Sequence, residues 1–140
     1  MITSLDHVDI LVRDWDAVIE QYKAILGTDR VTISDDTPER GFKLARFDVG
    51  RGQSINIVAS THEGSPWARH LEKHGDGIYL FSLGVTDLEQ TAEEMRARGV
   101  RMPAPYGGLR VIHPASAGGA LIHLGEKRQP PTQPPAAPPA

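Results

Sequence analysis

The chain carries one strand–helix pattern twice. Leu5 to Asp14 reads as an apolar strand ending in an acidic residue, and Ile78 to Asp87 repeats it. An amphipathic helix follows each copy, Trp15 to Leu26 in the first and Leu88 to Arg98 in the second. A second echo pairs Ile55-Asn56-Ile57 with Ile122-His123-Leu124. Repetition of this kind marks supersecondary units that cannot bury their apolar faces alone and pack on each other. Four strand positions then correspond in two pairs, His7 with Leu80 and Asn56 with His123. Three of the four are polar and one is not.

Around this repeat the chain divides into two modules. In the first, Asp6 to Val12 is a strand and Asp14 a helix N-cap. The helix is expected to bury Val18, Tyr22 and Ile25 and to end at Gly27. Strands follow at Val31 to Ser34, Phe42 to Val49 and Ser54 to Ala59, the last two joined by a turn at Gly50 to Gln53. A connector over 61–77 holds a short helix opened by Ser65-Pro66. The second module repeats the order, with strand Ile78 to Val85, helix, strand Val100 to Met102, and a closing hairpin of Leu109 to His113 and Ala120 to Leu124. The expectation is an α+β fold of two tandem β-α-β-β-β modules forming a cupped, barrel-like mixed sheet. One domain spans 1–129, with module one at 1–60 and module two at 78–129. Residues 130–140 are Pro, Ala, Gln and Thr without periodicity, the composition of a disordered Pro-rich tail.

Composition narrows the function classes. A net charge of −3 without a basic run argues against nucleic acid as a partner. With 0 cysteines there is neither a disulfide framework nor a thiolate nucleophile nor a Cys-based zinc site. No membrane-length apolar run and no basic-then-apolar leader pattern is present, so the expected setting is soluble and cytoplasmic, with a small molecule as the partner.

Three further stretches resemble a known family. Ser65-Pro66-Trp67 through Gly75-Asp76-Gly77 is similar to the linker of methylmalonyl-CoA epimerases, within the vicinal-oxygen-chelate (glyoxalase-like) superfamily. Val111-Ile112-His113-Pro114 through Ile122 is similar to their His-Pro hairpin. Pro38-Glu39-Arg40-Gly41-Phe42 resembles the acidic segment before their third strand. The resemblance implies paired β-α-β-β-β modules, a homodimer, and a divalent metal (cobalt, zinc, nickel or manganese) held by one ligand from each of four strands. Those positions fall on His7, Asn56, Leu80 and His123. Leucine has no lone pair to give, so the set shrinks to His7, Asn56 and His123, without an anionic ligand.

Alternation along a strand places Asp9 on the face of His7 and Ser82 on the face of Leu80. His7, Asp9, Asn56 and His123 then form an acid–base constellation that works without a metal. The resemblance adds Glu39 as a proton-transfer residue. Asn56, Tyr79, Leu80 and Ser82 are expected to line the substrate pocket. Tyr106, Arg110 and His113 stand at the cup mouth, where glycine-rich backbone can approach a ligand closely. The expected function is an epimerase-, isomerase- or lyase-like enzyme with weak or no metal dependence. It would move a proton beside the carbonyl of a small acyl substrate, a coenzyme A thioester among the options. The alternative is a metal-free binding protein that sequesters a small molecule in the same cup.

Overall fold

A computed structural model of the chain describes residues 1–35, 41–104 and 110–126. In order these form β1 (Ile2–Leu11), α1 (Trp15–Leu26), β2 (Thr32–Asp35), β3 (Phe42–Gly50), β4 (Gln53–Ser60), α2 (Pro66–His74), β5 (Gly77–Val85), α3 (Leu88–Ala97), β6 (Arg110–Ile112) and β7 (Ile122–Glu126), with a single 3-10 turn at Pro114–Ser116. All seven strands join one mixed sheet in the order β2-β3-β4-β1-β5-β7-β6. At its centre β1 and β5, one strand from each module, run antiparallel. Each is flanked by a parallel neighbour from its own module, β4 beside β1 and β7 beside β5. The sequence repeat is therefore a structural one.

Period-two alternation sorts the strands into two faces. On the outer face, Val12, Ala45, Phe47 and Ile57 are buried against Val18, Ile19 and Tyr22 of α1. The Trp15 indole Nε1 donates to the Ile57 carbonyl at 2.9 Å, tying that helix to the sheet. In the second module Val85, Ile112 and Leu124 pack with Leu88 and Met95 of α3. Burying one such side chain contributes roughly 1.5–3 kcal/mol, so these two covered faces hold the sheet. Matching caps start the helices, with the Asp14 carboxylate accepting from Ala17 N–H and that of Asp87 from Gln90 N–H. On the inner face α2 lays Trp67 and Leu71 against Leu11, Phe42 and Val58.

Several boundaries differ from the sequence expectation. β1 starts earlier, because Ile2, Ser4 and Leu5 pair with Val85, Gly84 and Leu83. Ile25 is 69% exposed; Ile19 is buried in its stead and Leu26 packs beside it. An i, i+4 stripe through Val18, Tyr22 and Leu26 wins over the i+3 alternative. Val100 to Met102 forms no strand. The Arg101 carbonyl accepts from His113 N–H and its own N–H donates to Ser116 Oγ, so the 3-10 turn takes the place of a ladder. The Pro-rich tail lies outside the described residues.

Candidate functional site

Two β-bulges set the site. Between Leu5 and His7 of β1 the partner strand advances only from Leu83 to Ser82, which makes Asp6 an extra residue. Adjacent strand residues normally point to opposite faces, but a bulge re-aims them. Asp6 and His7 thus meet, with His7 Nδ1 2.8 Å from Asp6 Oδ2. A carboxylate only accepts, so His7 donates from Nδ1 and turns Nε2 to the other side. There it lies 3.6 Å from Asp9 Oδ1. The second bulge places Tyr79 as an extra residue, since Asp9 pairs with Leu80 but Ile10 with Ile78. Tyr79 and Leu80 consequently border the same space.

Asp9 is the centre of the arrangement. Its cross-strand neighbours are Asn56 on β4 and Leu80 on β5. Asn56 Nδ2 donates to Asp9 Oδ1 at 2.9 Å, and Asn56 Oδ1 accepts from Ser54 Oγ at 3.1 Å. Burial pushes the Asp9 carboxyl above the usual carboxylate range, and attraction to His7 and the Asn56 hydrogen bond offset only part of this. In the second module the repeat-related pair is Ser82 and His123, joined through Ser82 Oγ and His123 Nδ1 at 2.9 Å. The rings of His7 and His123 come within 6.2 Å. The repeat and the resemblance bring His7, Asn56, Leu80 and His123 together, alternation adds Asp9 and Ser82, and the six do stand together.

Beside Asp9 opens a cavity of about 280 Å³. Phe42, Val58 and Trp67 wall it on one side, and Leu80, Val111 and Leu121 on the other. Tyr79 and His113 also line it. His113 Nδ1 accepts the Ala115 N–H at 3.0 Å, which leaves the proton of the neutral ring on Nε2. His7 and Asn56 support Asp9 without bordering this space, and His123 stands behind them beside His7. Ser82 is 1% exposed and holds His123 from beneath. A more open groove of about 560 Å³ adjoins the cavity through Tyr79, Leu80, Pro114 and Leu121. His70 borders that groove. Its ring packs edge-on to Tyr79 at 4.7 Å, and burial followed by the neighbouring His74 lowers its pKa.

Other expected residues fall elsewhere. Arg110 does not reach the cup: its guanidinium pairs with Glu89 of α3, on the helix-covered side. The neighbouring Val111 takes the inward place, as alternation requires. Glu39 and Tyr106 lie outside the described residues. Asp6 and Ser54 were missed from sequence. A bulge has no signature in the alternation of Asp6-His7, whereas Ser54 could have been found two positions before Asn56.

The donor set does not fit the four-ligand divalent-metal centre implied by the resemblance. Leu80 supplies no lone pair, and the Asn56 amide is taken up by Ser54 and Asp9. No group of three His, Asp or Glu side chains suited to a metal ion occurs among the described residues.

The family model of the Glyoxalase/Bleomycin resistance protein/Dioxygenase superfamily matches residues 6–111. An ethylmalonyl-CoA/methylmalonyl-CoA epimerase of Cereibacter sphaeroides is 30% identical, covering 89% of this chain and 98% of its own. A probable lactoylglutathione lyase of Synechocystis is 30% identical over 71% of this chain and 75% of its own. Among solved structures, methylmalonyl-CoA epimerase from Mycobacterium tuberculosis superposes with a TM-score of 0.78 at 34% identity, covering 91% of this chain and 90% of that one. The relatives are epimerases and lyases, in keeping with an enzyme of the same fold.

Proposed function

The chain belongs to the Glyoxalase/Bleomycin resistance protein/Dioxygenase superfamily, and from that premise we propose that it is an epimerase- or isomerase-like enzyme. It moves a proton at the carbon beside the carbonyl of a small acyl substrate. The observation that carries this reading is Asp9, a carboxylate of raised basicity held at the edge of a largely apolar cavity. A general base works best when its pKa approaches the working pH, and burial moves Asp9 in that direction.

In the reaction the ionised Asp9 carboxylate takes the α-proton, and the carbon–hydrogen electron pair moves into the carbonyl to give an enolate. Negative charge grows on the carbonyl oxygen. His113, with its proton on Nε2, is the cavity donor that meets it. Asn56 holds the Asp9 oxygen in place throughout. Return of the proton to the same face regenerates substrate, and return to the opposite face gives the epimer. Glu39 is the second acid implied by the resemblance. The cavity takes the acyl group, and the adjoining groove offers room for the remainder of a coenzyme A thioester. Because Leu80 breaks the ligand set, turnover proceeds without a divalent metal.

Incubation in D2O with acyl-CoA thioesters tests this directly, with mass spectrometry reading deuterium at the α-carbon. Exchange is expected in the presence of chelator and is slowed at least a hundredfold in Asp9→Asn. Binding of thioesters without exchange under any metal condition would leave a sequestering protein as the better description. Exchange that appears only with cobalt or manganese would overturn the metal-free reading.

A further inference from the structure

We infer that the substrate's reacting carbon carries an apolar alkyl group and no carboxylate, as in a 2-alkylacyl thioester, in contrast to a malonyl-type diacid. The inference rests on the proton-transfer reading above and specifies its substrate class. It is carried by what stands around Asp9. The strand register sets Leu80 directly opposite Asp9, and both face the cavity. A substituent on a carbon whose proton points at Asp9 therefore meets the Leu80 methyls. Beyond them the wall continues apolar through Val111 and Leu121, with Phe42, Val58 and Trp67 across the space. Leu80 is 6% and Val111 8% exposed, so this surface is a packed wall and not a mobile rim.

A carboxylate on the same carbon would fare badly there. It would lose its hydration against hydrocarbon, and its charge would oppose the ionised base a few ångströms away. The neighbouring amide is no partner for it, because Asn56 directs an N–H to Asp9 and does not line the cavity. An alkyl group instead gains from burial in the same place. At about 280 Å³ the cavity is at the lower end of ligand sites, sized for a short branched acyl group. Leu80 is thus the specificity-determining residue. The repeat sets His7 at the matching position of the first module, so a polar side chain is compatible with this backbone geometry.

The full chain is assayed in D2O with 2-methylbutyryl-CoA and methylmalonyl-CoA, following α-deuteration by mass spectrometry and binding by calorimetry. The expected result is at least a tenfold higher kcat/KM for exchange with 2-methylbutyryl-CoA. Equal or faster exchange of methylmalonyl-CoA would overturn the inference and leave the proton-transfer reading intact. If neither exchanges, tenfold tighter binding of 2-methylbutyryl-CoA would sustain the substrate class while the enzymatic reading falls; without that preference the inference falls as well. Leu80→His, checked for folding by circular dichroism, is expected to move the ratio toward methylmalonyl-CoA by tenfold or more. An unmoved ratio in the folded variant would remove Leu80 as the determinant; if the variant does not fold, the wild-type comparison decides.

Discussion

Asp9 draws three influences onto one carboxylate: desolvation, the nearby His7 and the Asn56 amide. Desolvation is the largest, so the group stays basic in a place where an apolar substrate can reach it. Replacing it with asparagine keeps the shape and an acceptor for Asn56 but removes the proton site. Asp9→Asn is expected to slow α-proton exchange by about 10²- to 10⁴-fold, the usual contribution of a general base, measured as deuterium incorporation per unit time. Because the base acts ionised, the acid limb of kcat/KM should lie above the ordinary aspartate pKa of about 3.9. A limb at the ordinary position would show that Asp9 is not the titrating base. His7 is fixed from behind by Asp6. In Asp6→Ala the His7 ring loses its Nδ1 partner, and two-dimensional 15N spectra should show the Nδ1 resonance move.

At the level of elements, much of the fold was readable because it depends on local chemistry. Both helix starts were visible as acidic caps, and both are made, by Asp14 and Asp87. Replacing either with alanine should cost about 1 kcal/mol in urea denaturation. The two sites lie on different helices and share no partner, so the double variant should cost the sum. Alternation likewise carried the cup face, since a strand residue's side is decided two positions away. What stayed hidden depends on long-range register or on irregular backbone. The bulges at Asp6 and Tyr79 arise where β1 meets β5, far apart in sequence, and they put Asp6 beside His7 and Tyr79 beside Leu80. Arg110 was misread for a related reason. Its side follows from the pairing of β6 with β7, and its partner Glu89 sits on a distant helix. In α1, Ile25 and Leu26 both suit an apolar stripe, and only the sheet beneath decides between them.

Across the whole molecule the two modules share their structural face and differ in their chemical one. Helix α1 in one module and α3 in the other cover equivalent apolar surfaces, which leaves the cup free to diverge. The pair Asp9–Asn56 occupies in the first module the place of Ser82–His123 in the second. Divergence of this kind carries a stability cost where a charge is placed in a poorly hydrated site. Asp9 has a higher pKa in the folded chain than in the unfolded one, so the folded state favours its protonated form. Its stabilising contribution is therefore complete below the unfolded aspartate value and is lost as pH rises through the raised folded value. At neutral pH the ionised carboxylate weakens the fold for the sake of the reaction, a trade familiar at active sites. Asp9→Asn removes that charge and should melt higher than the wild type at pH 7. The difference should shrink as pH falls and wild-type Asp9 takes up its proton. Paired thermal melts across that range check the sign. A variant less stable at neutral pH, or a gap that widens in acid, would mean that the ionised Asp9 is a net stabiliser through His7 and Asn56, contrary to a site in which burial dominates.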